Sequence, residues 1–358
     1  MNVKGGKTGM THIGLGIKEL LGNMQNAEAS DLHVSTGSAP IMRIHGMLHT
    51  GKGELLTASD TEAMAKVLLR EDQWTTFEQA GELDFAYMLE NGSRYRINVF
   101  RQKGHISIAA RSISNRIPTL EALGLPPMLK GLTEKPQGLV LVTGPTGSGK
   151  SSTLAAMIGY INTHQRKHIV TLEDPIEYIH EHGYSLVNQR EVGHDTASFA
   201  KGIRAALRQD PDVLLVGEMR DLDTISAAVT AAETGHLVFA TLHTSDAPQT
   251  VDRIIDVFPA HQQAQIRIQL ASVLTAIISQ RLLPLADGQG RVCATEILIQ
   301  TPAIANLIRT EKTHQIKSLM QTGRMLGMHT LDMNIRDLLQ RGQILPAVGK
   351  PYLSEVNA

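Results

Sequence analysis

The sequence predicts an α/β protein: a nucleotide-binding domain with a parallel sheet, preceded by a small α+β domain and followed by a helical C-terminal region. Three observations lead to this fold class. A phosphate-loop pattern stands between an apolar strand and a helix, apolar strands alternate with helices after residue 138, and shorter alternating strands precede residue 113. The predicted division is 1–113 for the first domain, 114–137 for a proline-containing linker, 138–300 for the nucleotide-binding domain and 301–358 for the helical region.

The first domain is predicted to contain one amphipathic helix at Ile13–Met24 and two further helices at Ser59–Arg70 and Glu71–Gln79. Its predicted strands share short apolar or alternating patterns typical of antiparallel sheets. They are Leu32–Val34, Ile41–Leu48, Phe85–Leu89, Tyr95–Arg101 and Ile106–Ile113. Asn91-Gly92 is expected to form a hairpin turn between two of them.

The phosphate-loop pattern G-x-x-x-x-G-K-S/T matches at every fixed position from Gly144 to Ser151. Glycines let backbone N–H groups turn inward toward phosphate, and the start of the following helix adds its dipole. Lys150 can reach the outer phosphates, and the Ser151 hydroxyl can hold Mg²⁺. The sequence therefore predicts ATP or GTP binding by Gly144, Pro145, Thr146, Gly147, Ser148, Gly149, Lys150, Ser151 and Ser152.

The nucleotide-binding domain continues with apolar strands separated by helical segments, which predicts parallel strands with crossover helices. The strands expected are Leu139–Val142, Ile169–Leu172, Val213–Val216, Leu237–Leu242 and Val292–Ile299. Residues 262–279 are predicted to form a long helix, and residues 302–341 the C-terminal helices.

Acidic residues follow two of these strands. Glu173, Asp174 and Glu177 end the second strand, which is expected to lie beside the phosphate-loop strand, and such a cluster can hold Mg²⁺ and position water. Glu218 follows Val213–Val216 in the Walker B pattern, where it would meet Mg²⁺ through water.

Two histidines bracket the fourth strand. The interval between His236 and His243 does not fit a helical metal pair, so no zinc site is predicted there. Thr241 and His243, at the carboxyl end of a parallel strand, could sense the γ-phosphate.

Arginines of both domains are candidates for reaching nucleotide, within one subunit or from a neighbour. They are Arg96, Arg101, Arg111, Arg190, Arg204 and Arg208. For each of them a solvated surface position is the alternative.

Composition narrows the class of function. A net charge of -1 and 4% aromatic residues give no electrostatic or stacking case for nucleic-acid binding. The single cysteine, Cys293, excludes an internal disulfide and a cysteine-based zinc site. No apolar run approaches the ~20 residues that span a bilayer, so no integral membrane segment is expected.

Taken together, these motifs resemble the secretion-ATPase superfamily, which serves type II secretion, type IV pili and type IV secretion. Within it the chain is similar to the PilT-type twitching-motility ATPases, which retract type IV pili. The resemblance covers about residues 28–342. It is carried by Ser30-Asp31-Leu32-His33, Glu173-Asp174-Pro175-Ile176-Glu177, Asn188-Gln189-Arg190-Glu191-Val192, Gly217-Glu218-Met219-Arg220-Asp221 and the segment from Thr234-Gly235-His236 to Leu242-His243-Thr244.

The resemblance implies a cytoplasmic hexameric motor at the inner face of the cytoplasmic membrane, acting on an inner-membrane platform protein. A PAS-like domain would sit on a RecA-like ATPase domain, with nucleotide between them. It implies Glu177 as the catalytic glutamate, Glu218 as the Walker B acid and His236 as a His-box residue. It also makes Arg111 and Arg204 candidates for contacting the nucleotide.

One segment departs from the retraction family. The family pattern Ala-Ile-Arg-Asn-Leu-Ile-Arg-Glu stands here with Ala305 and Thr310 in place of a basic and an acidic residue. Alternatives therefore remain: an assembly or type IV secretion ATPase, an accessory retraction paralogue, a DNA translocase, or a nucleotide-gated binding module without turnover. The absence of a cysteine cluster disfavours the extension-type pilus ATPase.

Overall fold

The computed structural model describes residues 16–44, 46–51, 53–113 and 116–353. The chain divides into two compact units, Met1–Asn115 and Arg116–Ala358. The first boundary lies two residues beyond the predicted one at 113. The second unit includes residues 116–137, predicted as a linker, together with the C-terminal helices.

The first unit contains a six-stranded antiparallel sheet with the strand order β3-β2-β1-β6-β5-β4. Its strands are β1 Ala29–Ser35, β2 Ile41–Ile44, β3 Met47–Thr50, β4 Glu82–Met88, β5 Arg94–Gln102 and β6 His105–Ile113. Its helices are α1 Ile17–Asn26, α2 Ala58–Leu68 and α3 Glu71–Ala80. Buried apolar side chains of the sheet and the helices form one core, in which the Tyr95 hydroxyl donates to the backbone oxygen of Leu21 at 2.7 Å.

Two turns of this sheet test the sequence reading. The segment Ile41–Leu48, predicted as one strand, is a hairpin instead, because Gly46 adopts a φ of 83° and reverses the chain between β2 and β3. The predicted Asn91-Gly92 hairpin is confirmed, since β4 and β5 pair antiparallel on either side of it. The predicted helix start at Ile13 lies outside the described residues.

The second unit contains a seven-stranded sheet with the order β13-β12-β7-β11-β10-β8-β9. Its strands are β7 Gly138–Thr143, β8 His168–Glu173, β9 Leu186–Glu191, β10 Val213–Val216, β11 Leu237–Leu242, β12 Leu274–Pro284 and β13 Arg291–Ile299. Neighbouring strands from β12 to β9 are parallel, and β13 pairs antiparallel with β12.

Helices cover both faces of this sheet, which explains why its central strands are apolar at consecutive positions. Leu139 and Leu141 of β7 pack into one core, and Val140 and Val142 into the core on the opposite face. The helices are α4 Leu129–Thr133, α5 Lys150–His164, α6 Phe199–Ala206, α7 Leu222–Glu233, α8 Ala247–Asp256, α9 Ala260–Val273, α10 Pro302–Arg309, α11 Ile316–Thr322, α12 Leu331–Gln340 and α13 Pro346–Gly349. No helix within the described ranges is long and apolar enough to cross a membrane.

Two sequence predictions for this sheet were wrong, and one strand was not predicted. The helix predicted over 262–279 ends at Val273, and the chain continues as β12, because Ala276, Ile277 and Ile278 are fully buried against β7. The strand β9 was not predicted. The acidic strand β8 does not lie beside the phosphate-loop strand β7, since β11 and β10 separate them.

Candidate nucleotide site

The loop between β7 and α5 has the backbone that phosphate binding requires. Gly144, Gly147 and Gly149 have φ values of 142°, 77° and 88°, which side chains other than glycine rarely adopt. A Cβ at Gly144 would also lie 2.5 Å from the backbone oxygen of Gln280 on β12. The loop is therefore closely fitted to its neighbour strand, and it ends at the first turn of α5, where free N–H groups favour an anion.

Lys150 is buried at the base of this loop. Its Nζ donates to the backbone oxygens of Gly144 at 2.8 Å and Pro145 at 3.1 Å. Burial lowers the pKa of Lys150, and the nearby carboxylates of Glu218 and Glu177 act in the opposite direction. The lysine is thus held against the loop with both predicted catalytic acids in electrostatic range.

The remaining loop residues divide by exposure. Pro145, Thr146 and Gly147 are exposed at the tip, whereas Ser148 is buried and its hydroxyl has no partner in the described part of the chain. Ser151 and Ser152 are half-buried in the first turn of α5, where Ser152 Oγ lies 2.8 Å from the Tyr178 hydroxyl. An orphaned buried hydroxyl and an accessible loop tip fit a cradle for a phosphate chain.

Glu218 lies at the carboxyl end of the sheet, after β10. Its Oε1 pairs with His243 Nε2 at 2.8 Å and also with Arg220 Nε. A cavity of about 450 Å³ is lined by these three residues together with Thr146 of the loop and Arg253 of α8. The structure thus brings Glu218 and His243, both predicted from the ends of their strands, to one cavity with Thr146 of the phosphate loop.

The acidic segment at the end of β8, residues 173–180, is bent and is called the acidic turn below. Its carboxylates have different surroundings. Glu173 accepts hydrogen bonds from Thr171 Oγ1 at 2.7 Å and Gln189 Nε2 at 3.1 Å, and from the backbone N–H of Glu177. Burial raises the pKa of Glu173 above its usual value despite these donors. Glu177, by contrast, contributes to the electrostatic environment of Lys150.

Three further predicted site residues contact residues outside the phosphate loop. His236 precedes β11 at the amino-terminal edge of the sheet, opposite the phosphate loop, and its Nδ1 lies 2.9 Å from the backbone oxygen of Ala231. Arg204 lies on α6 and forms an ion pair with Asp223 at 3.8 Å. Arg111 belongs to the first unit, where its Nε donates to Asp31 at 2.8 Å.

The sequence assigns no role to three contributors to the site. Gln280 of β12 donates to Thr153 of α5 at 2.8 Å, but its segment was read partly as helix. Tyr178 and Gln189 contact the acidic turn from within it and from β9. The polar residue Gln189 could be recognised as a contact of the acidic turn only once the order of the strands in the sheet is known.

Residues 9–344 match the family model described as type II/IV secretion system protein. The chain belongs to this family.

Individual relatives place the chain within the family. It is 48% identical over 328 residues to the protein of Pseudomonas aeruginosa named type IV pilus retractation ATPase PilT, covering 92% of this chain and 95% of that one. It is also 48% identical over 311 residues to a twitching motility protein of Neisseria gonorrhoeae, covering 87% and 83%. A crystal structure of the pilus retraction motor PilT with bound ADP aligns with a TM-score of 0.89 at 46% identity, covering 96% of this chain and 98% of that one.

These comparisons confirm two sequence predictions. The resemblance to PilT-type retraction ATPases is confirmed by identity over nearly the whole length of both chains. The fold class is confirmed as well: a RecA-like ATPase domain with an N-terminal domain and a helical C-terminal part.

Proposed function

We propose that this chain is a Mg²⁺-dependent ATPase that retracts a type IV pilus as part of a homo-oligomeric, hexameric ring. The observation that carries the proposal is the 48% identity, over nearly the full length of both chains, to a pilus retraction ATPase. The phosphate loop supports it, because its glycines and lysine have the arrangement that phosphate binding requires. The ring, its position at the inner face of the cytoplasmic membrane and an inner-membrane platform partner are inferred from the family resemblance.

The residues around the loop support a nucleoside triphosphate as the substrate, and the similarity to a pilus retraction ATPase favours ATP. The N–H groups of residues 144–152 would bind the phosphates, and Lys150 would exchange its bonds to the loop carbonyls for bonds to the outer phosphates. Ser151 would hold Mg²⁺ directly and Glu218 through water. The metal, when bound, would neutralise charge on the phosphates.

Hydrolysis also needs a group that orients water. Glu177 is the better candidate, because three hydrogen-bond donors already occupy the Glu173 carboxylate, whereas Glu177 lies in the electrostatic range of Lys150. His243, paired with Glu218, faces the cavity beside the loop and would respond to the γ-phosphate. His236, at the opposite edge of the sheet, would act in hydrolysis only at a site other than this loop. Arg111 and Arg204 remain candidates for contacting the nucleotide.

One observation keeps a second candidate open. Ala305 and Thr310 remove two charges from the segment that matches the retraction family's C-terminal helix, and this favours an accessory retraction paralogue or a related assembly or secretion ATPase. Such a protein would hydrolyse ATP and yet would not by itself sustain pilus retraction.

The test uses Lys150→Ala in the purified protein and in cells that lack the native gene. The wild-type chain should hydrolyse ATP with Mg²⁺, lose activity with EDTA and restore retraction, whereas the variant should fail in both assays because it lacks the charge that the loop places toward the outer phosphates. Equal ATPase rates would reject the site. Hydrolysis by the wild type without restored retraction would favour the second candidate.

A further inference from the structure

We propose that Gln189 is a positioning residue that fixes the backbone of the turn carrying Glu177. The inference rests on the proposed function, because it assigns Gln189 a role in the hydrolysis for which Glu177 orients water. The two residues belong to different elements: Gln189 lies on β9, and Glu177 follows β8.

The amide of Gln189 contacts the acidic turn on both sides of Glu177. Its Nε2 donates to Glu173 Oε1 at 3.1 Å and to the backbone oxygen of Tyr178 at 2.8 Å. Its Oε1 accepts from the backbone N–H of His180 at 2.7 Å. One side chain therefore holds the residue that begins the turn and two backbone groups just after Glu177.

The register of the sheet explains this reach. Gln189 pairs with Thr171, and Glu191 pairs with Glu173, so these four side chains share one face at neighbouring positions of β8 and β9. Glu191 Oε2 accepts from the backbone N–H of Ile176 at 3.1 Å. The turn is consequently anchored to β9 both before and after Glu177.

A further contact joins the same turn to the phosphate loop. The Tyr178 hydroxyl lies 2.8 Å from Ser152 Oγ, in the first turn of α5. Gln189 holds the backbone carbonyl of Tyr178, the residue directly after Glu177. The side chain of the same Tyr178 contacts α5, the helix that begins at Lys150. A small displacement of this turn would move the Glu177 carboxylate relative to the phosphates, and misplacement of about 1 Å can cost about a hundredfold in rate.

The experiment replaces Gln189 by Leu, which has a similar size and no hydrogen-bonding groups. Steady-state ATP hydrolysis should show kcat reduced about tenfold or more with KM changed less than about threefold, since the positioning acts mainly in the transition state. Gln189→Glu is the second variant: it keeps the acceptor for His180 and loses both donated bonds, so the same loss is expected. Affinity for ADP and the thermal midpoint show whether each variant is folded.

The matched control is Asn188→Leu. Asn188 is the preceding residue of β9, is exposed and lies 2.9 Å from His168 Nε2, away from the acidic turn. Its replacement removes a side-chain amide from the same strand, and kcat should stay within about twofold of wild type.

Coupling to Glu177 separates positioning from a general effect on the fold. In a Glu177→Gln background, Gln189→Leu should cause little further loss of kcat, because the group it positions is already disabled. The same fold loss in both backgrounds, or wild-type kcat in Gln189→Leu, would overturn the role of Gln189 while leaving the ATPase intact. A wild-type chain without ATP turnover would instead overturn the proposed function.

Discussion

Glu173 and Glu177 lie four residues apart, and their different surroundings decide which is assigned to catalysis. Glu173 is enclosed by Thr171, Gln189 and the backbone of its own turn, and burial raises its pKa. The negative charge of Glu177 acts to raise the pKa of Lys150. A carboxylate surrounded by internal donors holds structure, whereas one beside the phosphate loop can orient water.

The residue-scale prediction follows from this contrast. Glu177→Gln should lower kcat by about 100-fold or more and leave ATP binding largely intact, because a water-positioning carboxylate acts in the transition state. Glu173→Gln, with acceptor capacity retained, should cost less. Steady-state kinetics and nucleotide titration measure both. A large loss in Glu173→Gln with none in Glu177→Gln would move the catalytic assignment four residues upstream.

His180, in the same turn, leads to a prediction about how stability depends on pH. Burial lowers the pKa of His180 from 6.5 to about 4, and its Nδ1 has no partner among the described residues. Between pH 6.5 and about 4, the His180 ring therefore binds a proton in the unfolded chain but stays neutral in the folded protein. The stability from neutral His180 is fully present above pH 6.5 and is lost as pH falls toward about 4.

The loss should approach about 3 kcal/mol when complete, at about 1.4 kcal/mol per tenfold change in proton affinity. His180→Phe keeps a ring of similar size and removes the titrating group. Thermal midpoints of wild type and variant, compared between pH 7 and pH 4.5, should fall less steeply for the variant. Parallel pH profiles of the two proteins would contradict the assignment of His180 as a buried neutral group.

At the scale of elements, a helix or strand could be predicted from the sequence when neighbouring residues in the chain decide its conformation. The unit β7–loop–α5 is encoded in consecutive residues, so its glycines, Lys150 and the apolar strand predict a strand, a loop and a helix in this order, as the structure shows. The strand β12 was missed because residues 274–279 continue the apolar pattern of α9, and only pairing with β7 decides their conformation. Gln189 belongs to a segment that carries the family resemblance, but the sequence assigns it no role, because its partners lie across a strand pair and a single sequence does not show that register.

The helix α10 carries the segment that departs from the retraction family. Ile304, Leu307 and Ile308, at the i, i+3, i+4 spacing of one helix face, are buried, and Ala305 is buried beside them. Asn306 and Arg309 are exposed. The helix therefore separates a packing face, which the fold needs, from a polar face that is free to serve the motor.

The element-scale prediction uses that separation. Changing Asn306 and Arg309 together to Ala should alter the free energy of unfolding by no more than about 0.5 kcal/mol. If the polar face transmits force, pilus retraction in cells should fail while the purified protein still hydrolyses ATP. Ile304→Ala is the contrast: a buried large-to-small change should cost about 2–5 kcal/mol and reduce both activities. Normal retraction by the double variant would leave α10 with only a packing role.

At the scale of the whole molecule, the candidate arginines indicate how copies could cooperate. Arg111 of the first unit and Arg204 of the second have mostly exposed side chains, although each has an acidic partner within its own unit, Asp31 and Asp223. Both side chains of the Arg204–Asp223 pair are exposed, and such surface ion pairs contribute little to stability, so exchanging Asp223 for a nucleotide phosphate costs little. Asp31 is largely buried, but Arg43 lies 3.7 Å away as a second partner when Arg111 leaves. Guanidinium groups also match phosphate geometry. These arginines are therefore suited to complete a site on a neighbouring copy.

The prediction at this scale is a homo-oligomer whose ATPase rate per subunit rises with protein concentration and then reaches a plateau. Dilution should separate copies and remove the arginines from the shared site, which lowers kcat per subunit without changing the fold. Light scattering across the same concentrations, with and without ATP, should show assembly rising together with activity. Arg204→Ala should lower the plateau, whereas Arg166→Ala, a change at an arginine outside the candidate set, should not. A monomer at every concentration with full activity would show that each copy hydrolyses ATP alone, and the ring would then have no part in catalysis.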